Sequence, residues 1–351
     1  MTALTTAGEP GPLRTARLRA GWLGVGIAAL VVAAGAGLLI GPVTIAPDDV
    51  VRLLLGLDTD LTTNQLNIVR EIRLPRVVLG LLVGATLSAA GAGYQGVFRN
   101  PLADPYLLGA AAGAGLGVTL VIVRAAEGSG TPAAAPVAAF AGAMLAVALT
   151  YALGAAGSGR TSTASLILAG VAVTSFLTAA QTYVQQRNLD TVRQVYVWIL
   201  GRLSTAGWSE VRLLLPYAVV CFAVLLSQRR TLDVLAVGDD EASTLGLHPQ
   251  RSRLLIVVAA SLGTAAAVSV SGLIAFVGII VPHTVRLLAG VSHRVVVPLS
   301  MLFGGAFLVL ADLLARTIAS PAELPIGVVT AFFGAPFFVV VLRTSRRGVL
   351  S

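Results

Sequence analysis

Ten long apolar runs pass through this chain, and they limit its folding more than any other feature. They occupy residues 22–40, 77–93, 107–123, 133–153, 166–183, 213–226, 254–270, 273–288, 295–318 and 326–342, with the sixth and eighth the shortest. About 20 apolar residues cover the hydrocarbon of a bilayer as a helix, whereas a barrel strand needs only about 9–11. Backbone groups in lipid must be satisfied internally, so runs of this length read as helices. Charged residues make up 11% of the chain, against about 25% in soluble domains. The sequence therefore predicts an all-α, polytopic membrane protein with about ten transmembrane helices. Its membrane domain covers 21–343, between short tails at 1–20 and 344–351.

An even number of spans puts both termini on one side. Arg14, Arg17 and Arg19 precede the first run, and Arg343, Arg346 and Arg347 follow the last. Arginines flanking spans favour the cytoplasm, and Arg229, Arg230, Arg251 and Arg253 in the loop after the sixth run agree. The polar opening tail reads as disordered. No small-residue cleavage site follows the first run, which reads as a retained span.

All 24 cations are arginines. Without lysine the chain has no phosphate-binding GxxxxGK[ST] loop and no Schiff-base chemistry, so it does not hydrolyse ATP itself. The arginines are scattered among spans and form no basic stripe for nucleic acid. His248, His283 and His293 lack ligand spacing, and no nucleophile motif occurs. The expectation is a protein without enzyme activity, metal site or cofactor. Cys221 stands alone and reads as a small buried hydrophobe.

Local patterns add detail. Gly84, Gly91 and Gly93 in the second run suit close helix packing, because small residues let backbones approach in lipid. Pro101 and Pro105 end that helix in an Asn-Pro-Leu-Ala-Asp-Pro turn. In the longest stretch between spans, 41–75, residues 47–55 read as a short amphipathic helix with Pro47, Asp48 and Asp49 in its first turn. Residues 237–247, Val-Gly-Asp-Asp-Glu-Ala-Ser-Thr-Leu-Gly-Leu, read as another. Asp239 would cap it, Asp240 and Glu241 suit its positive end, Gly246 would close it left-handed, and Ala242 and Leu245 would share a face. On residues alone, a self-capped connector and a docking helix are equally open. Asp312 and Arg316 are costly in a membrane and stand four apart, so they can pair. Alternatively Arg316 points outward with Arg73 and Arg76, as partner contacts or as headgroup anchors.

The joint order of several motifs narrows the reading further. These are the 100–105 turn, Gly-Leu-Ile-Ala-Phe-Val-Gly at 272–278, Pro282-His283, His293-Arg294, Ala311-Asp312, Arg316 and Glu-Leu-Pro-Ile-Gly at 323–327. Together they resemble the permease family of ABC importers that take up iron-siderophore, haem and cobalamin complexes. The resemblance covers most of the chain from residue 72. It implies the type II importer architecture, in which a second permease, a copy or a close relative, completes a central path. Cytoplasmic ATP-binding subunits and an extracytoplasmic substrate-binding protein would complete the complex, with an iron(III)-siderophore as cargo and cobalamin or haem as alternatives.

The resemblance also implies roles. Asn100 and Leu102, with Thr163 on the facing wall, would narrow the cytoplasmic end of the path. Asp239, Asp240, Glu241, Leu245, Gly246 and Leu247 would couple to the ATPase. Arg73, Arg76 and Arg316 would meet acidic residues of the binding protein. The competing class is a secondary transporter driven by an ion gradient, for which Asp312 is the one candidate coupling carboxylate.

Overall fold

The computed structural model describes residues 18–156, 163–204 and 207–347. The expected tail at 1–17, with Arg14 and Arg17, lies outside the described residues, as do 348–351 and the side chains of Arg343, Arg346 and Arg347. Every regular element among the described residues is helical. In chain order the helices are α1 (Ala20–Leu39), α2 (Pro47–Leu54), α3 (Thr63–Asn67), α4 (Leu74–Phe98), α5 (Ala110–Ala126), α6 (Ala135–Ala155), α7 (Thr163–Arg187) and α8 (Val192–Ile199). There follow α9 (Trp208–Ser227), α10 (Arg229–Val237), α11 (Asp239–Thr244), α12 (Pro249–Ser271), α13 (Val277–Ala289), α14 (His293–Thr317) and α15 (Ile326–Arg347). A π-helical turn, Ile68–Arg73, joins α3 to α4.

The ten apolar runs map one to one onto α1, α4, α5, α6, α7, α9, α12, α13, α14 and α15. Seven of these are long and apolar enough to cross a membrane, and three apolar segments are shorter: Ala110–Ala126, Val277–Ala289 and Ile326–Phe337. Several boundaries depart from the runs by a few residues, and two departures have a clear local cause. The helix α9 starts five residues before its apolar run, because the Gly207 N–H donates to the Glu210 carboxylate at 2.9 Å and closes a polar first turn. The eighth run is not continuous helix. Gly272 and Phe276 both adopt positive φ, 71° and 70°, so the chain breaks there and α13 starts only at Val277. The eight-residue helix α8 was missed by the run pattern; it buries Val195 and Trp198, three apart, and leaves Arg193, Gln194, Tyr196 and Val197 exposed.

The centre of the molecule is α4, packed by α14, α12, α13 and α9. Its first turn holds Pro75, where the missing N–H has no partner to lose, and Arg99 ends it at φ 50° in the left-handed region. Two crossings bring backbone against backbone: Gly84 lies on Gly304 of α14, and Gly91 lies on Gly278 of α13. Neither position has room for a Cβ. A second group, α5, α6 and α7, uses the same device where Gly113 meets Gly142. On the outside, α1 lies along α14.

Candidate functional site

One end of the bundle gathers α10, α11, the start of α12 and the turn after α4. Arg99 is the link. Its Nε donates to the Leu235 carbonyl of α10 at 2.7 Å, and its Nη2 bonds Asp239 Oδ1. Arg253 of α12 donates to both Asp239 oxygens, at 2.8 and 2.5 Å. The Asp239 carboxylate thus sits between two guanidiniums from different helices. It does not cap α11, as its position suggests; Gly238 occupies the cap site, and Asp239 is the first helical residue. Three charge-assisted bonds outweigh one backbone N–H for the same carboxylate.

The rest of α11 follows expectation in part. Gly246 is left-handed at φ 79°, and the Leu247 N–H donates back to the Ala242 carbonyl at 3.0 Å. Ala242 and Leu245 do not share a face: Ala242 is fully buried while Leu245 is 69% exposed. The helix has already ended at Leu245, so helical spacing no longer relates the two. Leu247 turns back and packs partly against the core.

The turn beside Arg99 is locally self-bonded. Asn100 Oδ1 accepts the Leu102 N–H at 2.9 Å, and Asp104 Oδ1 accepts the Tyr106 N–H at 2.6 Å. Tyr106 then reaches the break before α13: its hydroxyl donates to the Ile274 carbonyl at 3.1 Å and accepts the Ile274 N–H at 3.2 Å. Leu102 is half-buried. Thr163, at the head of α7, lines a cleft of about 590 Å³ with Arg99, Asp239, Asp240, Ser243 and Arg253. Thr163, Asp239 and Asp240 are therefore brought together, while Glu241 is not among the lining residues; Asn100 and Leu102 adjoin this cleft through Arg99 without lining it.

A further cluster at this end escaped sequence reasoning. Asp233 of α10 accepts from Ser292 Oγ and from the His293 N–H, both at 2.6 Å, and pairs with His293 Nδ1 at 3.0 Å. Burial pushes its carboxyl upward, but the bonds from His293 and Ser292 outweigh burial and hold it below the usual carboxylate range. An acid at the N-terminus of α14 also suits the helix dipole. The sequence signal was the Ser292-His293-Arg294 start of a span, with a lone Asp on the neighbouring short helix.

The opposite end holds the other arginines. Arg73 donates to the Leu38 and Leu39 carbonyls at 2.8 and 3.2 Å and bonds the Val43 carbonyl. Arg316 Nη2 donates to the Gly37 carbonyl at 2.6 Å. Both satisfy the free carbonyls that end α1. Arg76 makes two two-pronged contacts: Nε and Nη2 meet Asp312 at 2.9 Å, and Nη1 and Nη2 meet Glu323 at 2.9 Å. Arg316 approaches Asp312 only to 3.8 Å, so the expected pair at spacing four exists but is secondary. Arg73, Arg76 and Arg316 are 3, 7 and 8% exposed, and none offers a free guanidinium to the surface. A buried charge needs acceptors, and these three have taken internal ones. The exposed member of the cluster is Glu323, whose carboxyl the Arg76 hydrogen bond lowers against the opposing effect of burial.

Comparisons with known proteins fit this anatomy. Residues 29–344 match the FecCD transport family. The cobalamin import system permease protein BtuC of Halobacterium salinarum is 46% identical over 282 residues, covering 79% of this chain and 73% of that protein. An uncharacterized ABC transporter permease of Bacillus subtilis, YvrB, is 42% identical over 298 residues, covering 84% and 83%. A chain of a metal-chelate type ABC transporter, solved in an inward-facing conformation, superposes with a TM-score of 0.81 at 27% identity, covering 92% of this chain and 98% of that one. With the family matched over most of its length and the helical order that goes with it, this chain belongs to the FecCD transport family, as a multi-pass membrane permease of the ABC importer type.

Proposed function

We propose that this chain forms half of the path of an ATP-driven importer that carries an iron(III)-siderophore inward. A second permease, a copy or a close relative, supplies the other half. The α11 end faces the cytoplasm with both termini, in keeping with the arginines that flank the first and last spans. ATP-binding subunits dock there, and an extracytoplasmic binding protein docks at the Arg76 end.

One observation carries this reading: Asp239 holds the short helix α11 to both the end of α4 and the start of α12, while Leu245 stands out from the surface. A helix fixed to two spans, with an apolar tip, is suited to receive motion from a soluble subunit and pass it on. Arg99 then connects that motion to the adjoining Asn100 and Leu102, the proposed narrow point, and Thr163 lines the neighbouring cleft with Arg99. At the other end the binding protein would dock over the Arg73, Arg76 and Arg316 cluster, whose exposed charge is the Glu323 carboxylate and so calls for a basic partner group.

Cobalamin is the second reading for the cargo, favoured by the relative at 46% identity. A gradient-driven carrier is disfavoured because Asp312 is held by Arg76 at 2.9 Å and is not a free coupling carboxylate. The test is uptake by the purified permease, reconstituted with its ATP-binding subunits and binding protein, using labelled ferric siderophore and labelled cobalamin in parallel. ATP-dependent accumulation of one of them is expected. Accumulation driven by a proton or sodium gradient without ATP would overturn the proposal.

A further inference from the structure

Beside the Arg76 cluster lie two neighbouring cavities. One, of about 220 Å³, is lined by Arg76, Asp312 and Glu323 together with Val197 and Arg202. The other, of about 530 Å³, shares Val197 and Arg202 and adds Arg193, Gln194 and Trp198. The larger volume falls in the range of small-molecule sites, roughly 300–1,000 Å³.

The larger cavity is charged in one sense only. Arg193 and Arg202 both line it, and no carboxylate does. Among the described residues neither guanidinium has an ion pair or a side-chain hydrogen bond, whereas Arg73, Arg76 and Arg316 at the same end are all engaged. The fold sets this up deliberately at α8. Val195 and Trp198 anchor that helix by their burial, which leaves Arg193, Gln194 and Val197 on its open side. Arg202 is positioned from behind, since its N–H donates to the Ser271 carbonyl at 2.9 Å at the end of α12. Forked donors of this kind recognise carboxylates by paired hydrogen bonds.

We infer that the α8 cavity is a cargo subsite, in which Arg193 and Arg202 select metal chelates carrying anionic carboxylate groups. This rests on the importer reading above and narrows it to a substrate class. Trp198 and Val197 supply an apolar wall, and Gln194 a neutral donor and acceptor.

The experiment compares two iron complexes of different charge in the complete reconstituted importer: anionic ferric citrate and a neutral ferric trihydroxamate. Wild-type protein should take up ferric citrate in an ATP-dependent and salt-sensitive way, because salt screens an exposed charge pair. The Arg193→Gln, Arg202→Gln double variant should lose about ten-fold or more of ferric citrate uptake while neutral-chelate uptake stays within about two-fold. Arg193→Lys with Arg202→Lys should recover part of the loss, since charge returns without the fork. Equal loss for both chelates, or no loss for either, would overturn the subsite while leaving the importer intact. Wild-type uptake of the neutral chelate alone would overturn it too. If neither complex, nor cobalamin, accumulates with ATP, the importer reading itself fails and takes the subsite with it. Native mass spectrometry of the same variants covers the remaining source of anions: loss of bound phosphatidylglycerol with unchanged citrate uptake would make the cavity a headgroup site.

Discussion

Asp312 and Glu323 share one arginine but not one environment, and their removal should separate them. Asp312 is buried between Arg76 and Arg316, whereas Glu323 lies at the rim. Removing one partner of a buried pair costs about 3–5 kcal/mol, while rim pairs contribute about 0–1 kcal/mol. Asp312→Asn should therefore lower the thermal midpoint in detergent markedly more than Glu323→Gln, as followed by circular dichroism; equal shifts would refute this division. Asp233 makes the pH prediction. Its folded carboxyl titrates below the unfolded value, so its contribution is complete above about pH 4, the unfolded range. It is lost only as pH falls through the lower, folded value. Asp233→Asn should destabilise the protein at neutral pH and make its acid unfolding less steep, as measured by a stability titration from pH 7 to pH 3. These residue roles show where the sequence was readable. Arg73, Arg76, Asp312 and Arg316 stand out as costly charges, but which acceptor each takes depends on α1 and on Glu323, more than two hundred positions from Arg76 for Asp312 and Glu323 alike. Spacing along one helix reveals only the weaker Asp312–Arg316 approach.

Among the elements, α11 is the clearest test of coupling. Burying a leucine is worth roughly 1.5–3 kcal/mol. Leu245→Asp should weaken association of the ATP-binding subunit by about ten-fold or more, with no change in thermal stability, as read by co-purification and unfolding. Leu247→Asp should also cost stability, because that side chain packs partly on the core. A Leu245→Asp variant with normal association and transport would remove α11 as the main contact. The turn after α4 offers a second test. Cys221 is fully buried, so a cysteine introduced at Leu102 should be the main reactive thiol. Its labelling or crosslinking to the second permease should change with nucleotide; labelling that ignores nucleotide would argue against a narrow point there. Apolar length made the ten spans legible from sequence, and turn chemistry made α2 and Gly246 legible. The helix α8 was not, since eight residues with two buried positions give too short a period to notice. Nor was the break at 272–276, because apolar residues continue through it and the positive φ of Gly272 and Phe276 that makes it is set by the fold.

Over the whole molecule, the glycine crossings should be intolerant of size. Gly91→Leu would drive a side chain into the Gly278 backbone, and forcing extra atoms into a packed contact costs about 1–3 kcal/mol or more. That variant should fail to accumulate in the membrane, whereas Gly24→Leu, on the open side of α1 with nothing near its Cβ position, should accumulate normally. Backbone laid directly on backbone has a mechanical consequence as well. At Gly84 and Gly91 no side chain separates α4 from α14 and α13, so these crossings resist sliding and hold the three helices together. By the same contact at Gly113 and Gly142, α5 and α6 move together, and Gly170 clamps α7 to Leu107 beside them. The short stretch from Arg99 to Gly109 joins α4 to α5, and its Pro105 rests on the first group at Gly278 while its Leu107 rests on the second at Gly170. Amide hydrogen exchange during turnover should consequently change more in that stretch than within α4, which makes these eleven residues the compliant strap between two glycine-locked groups of helices.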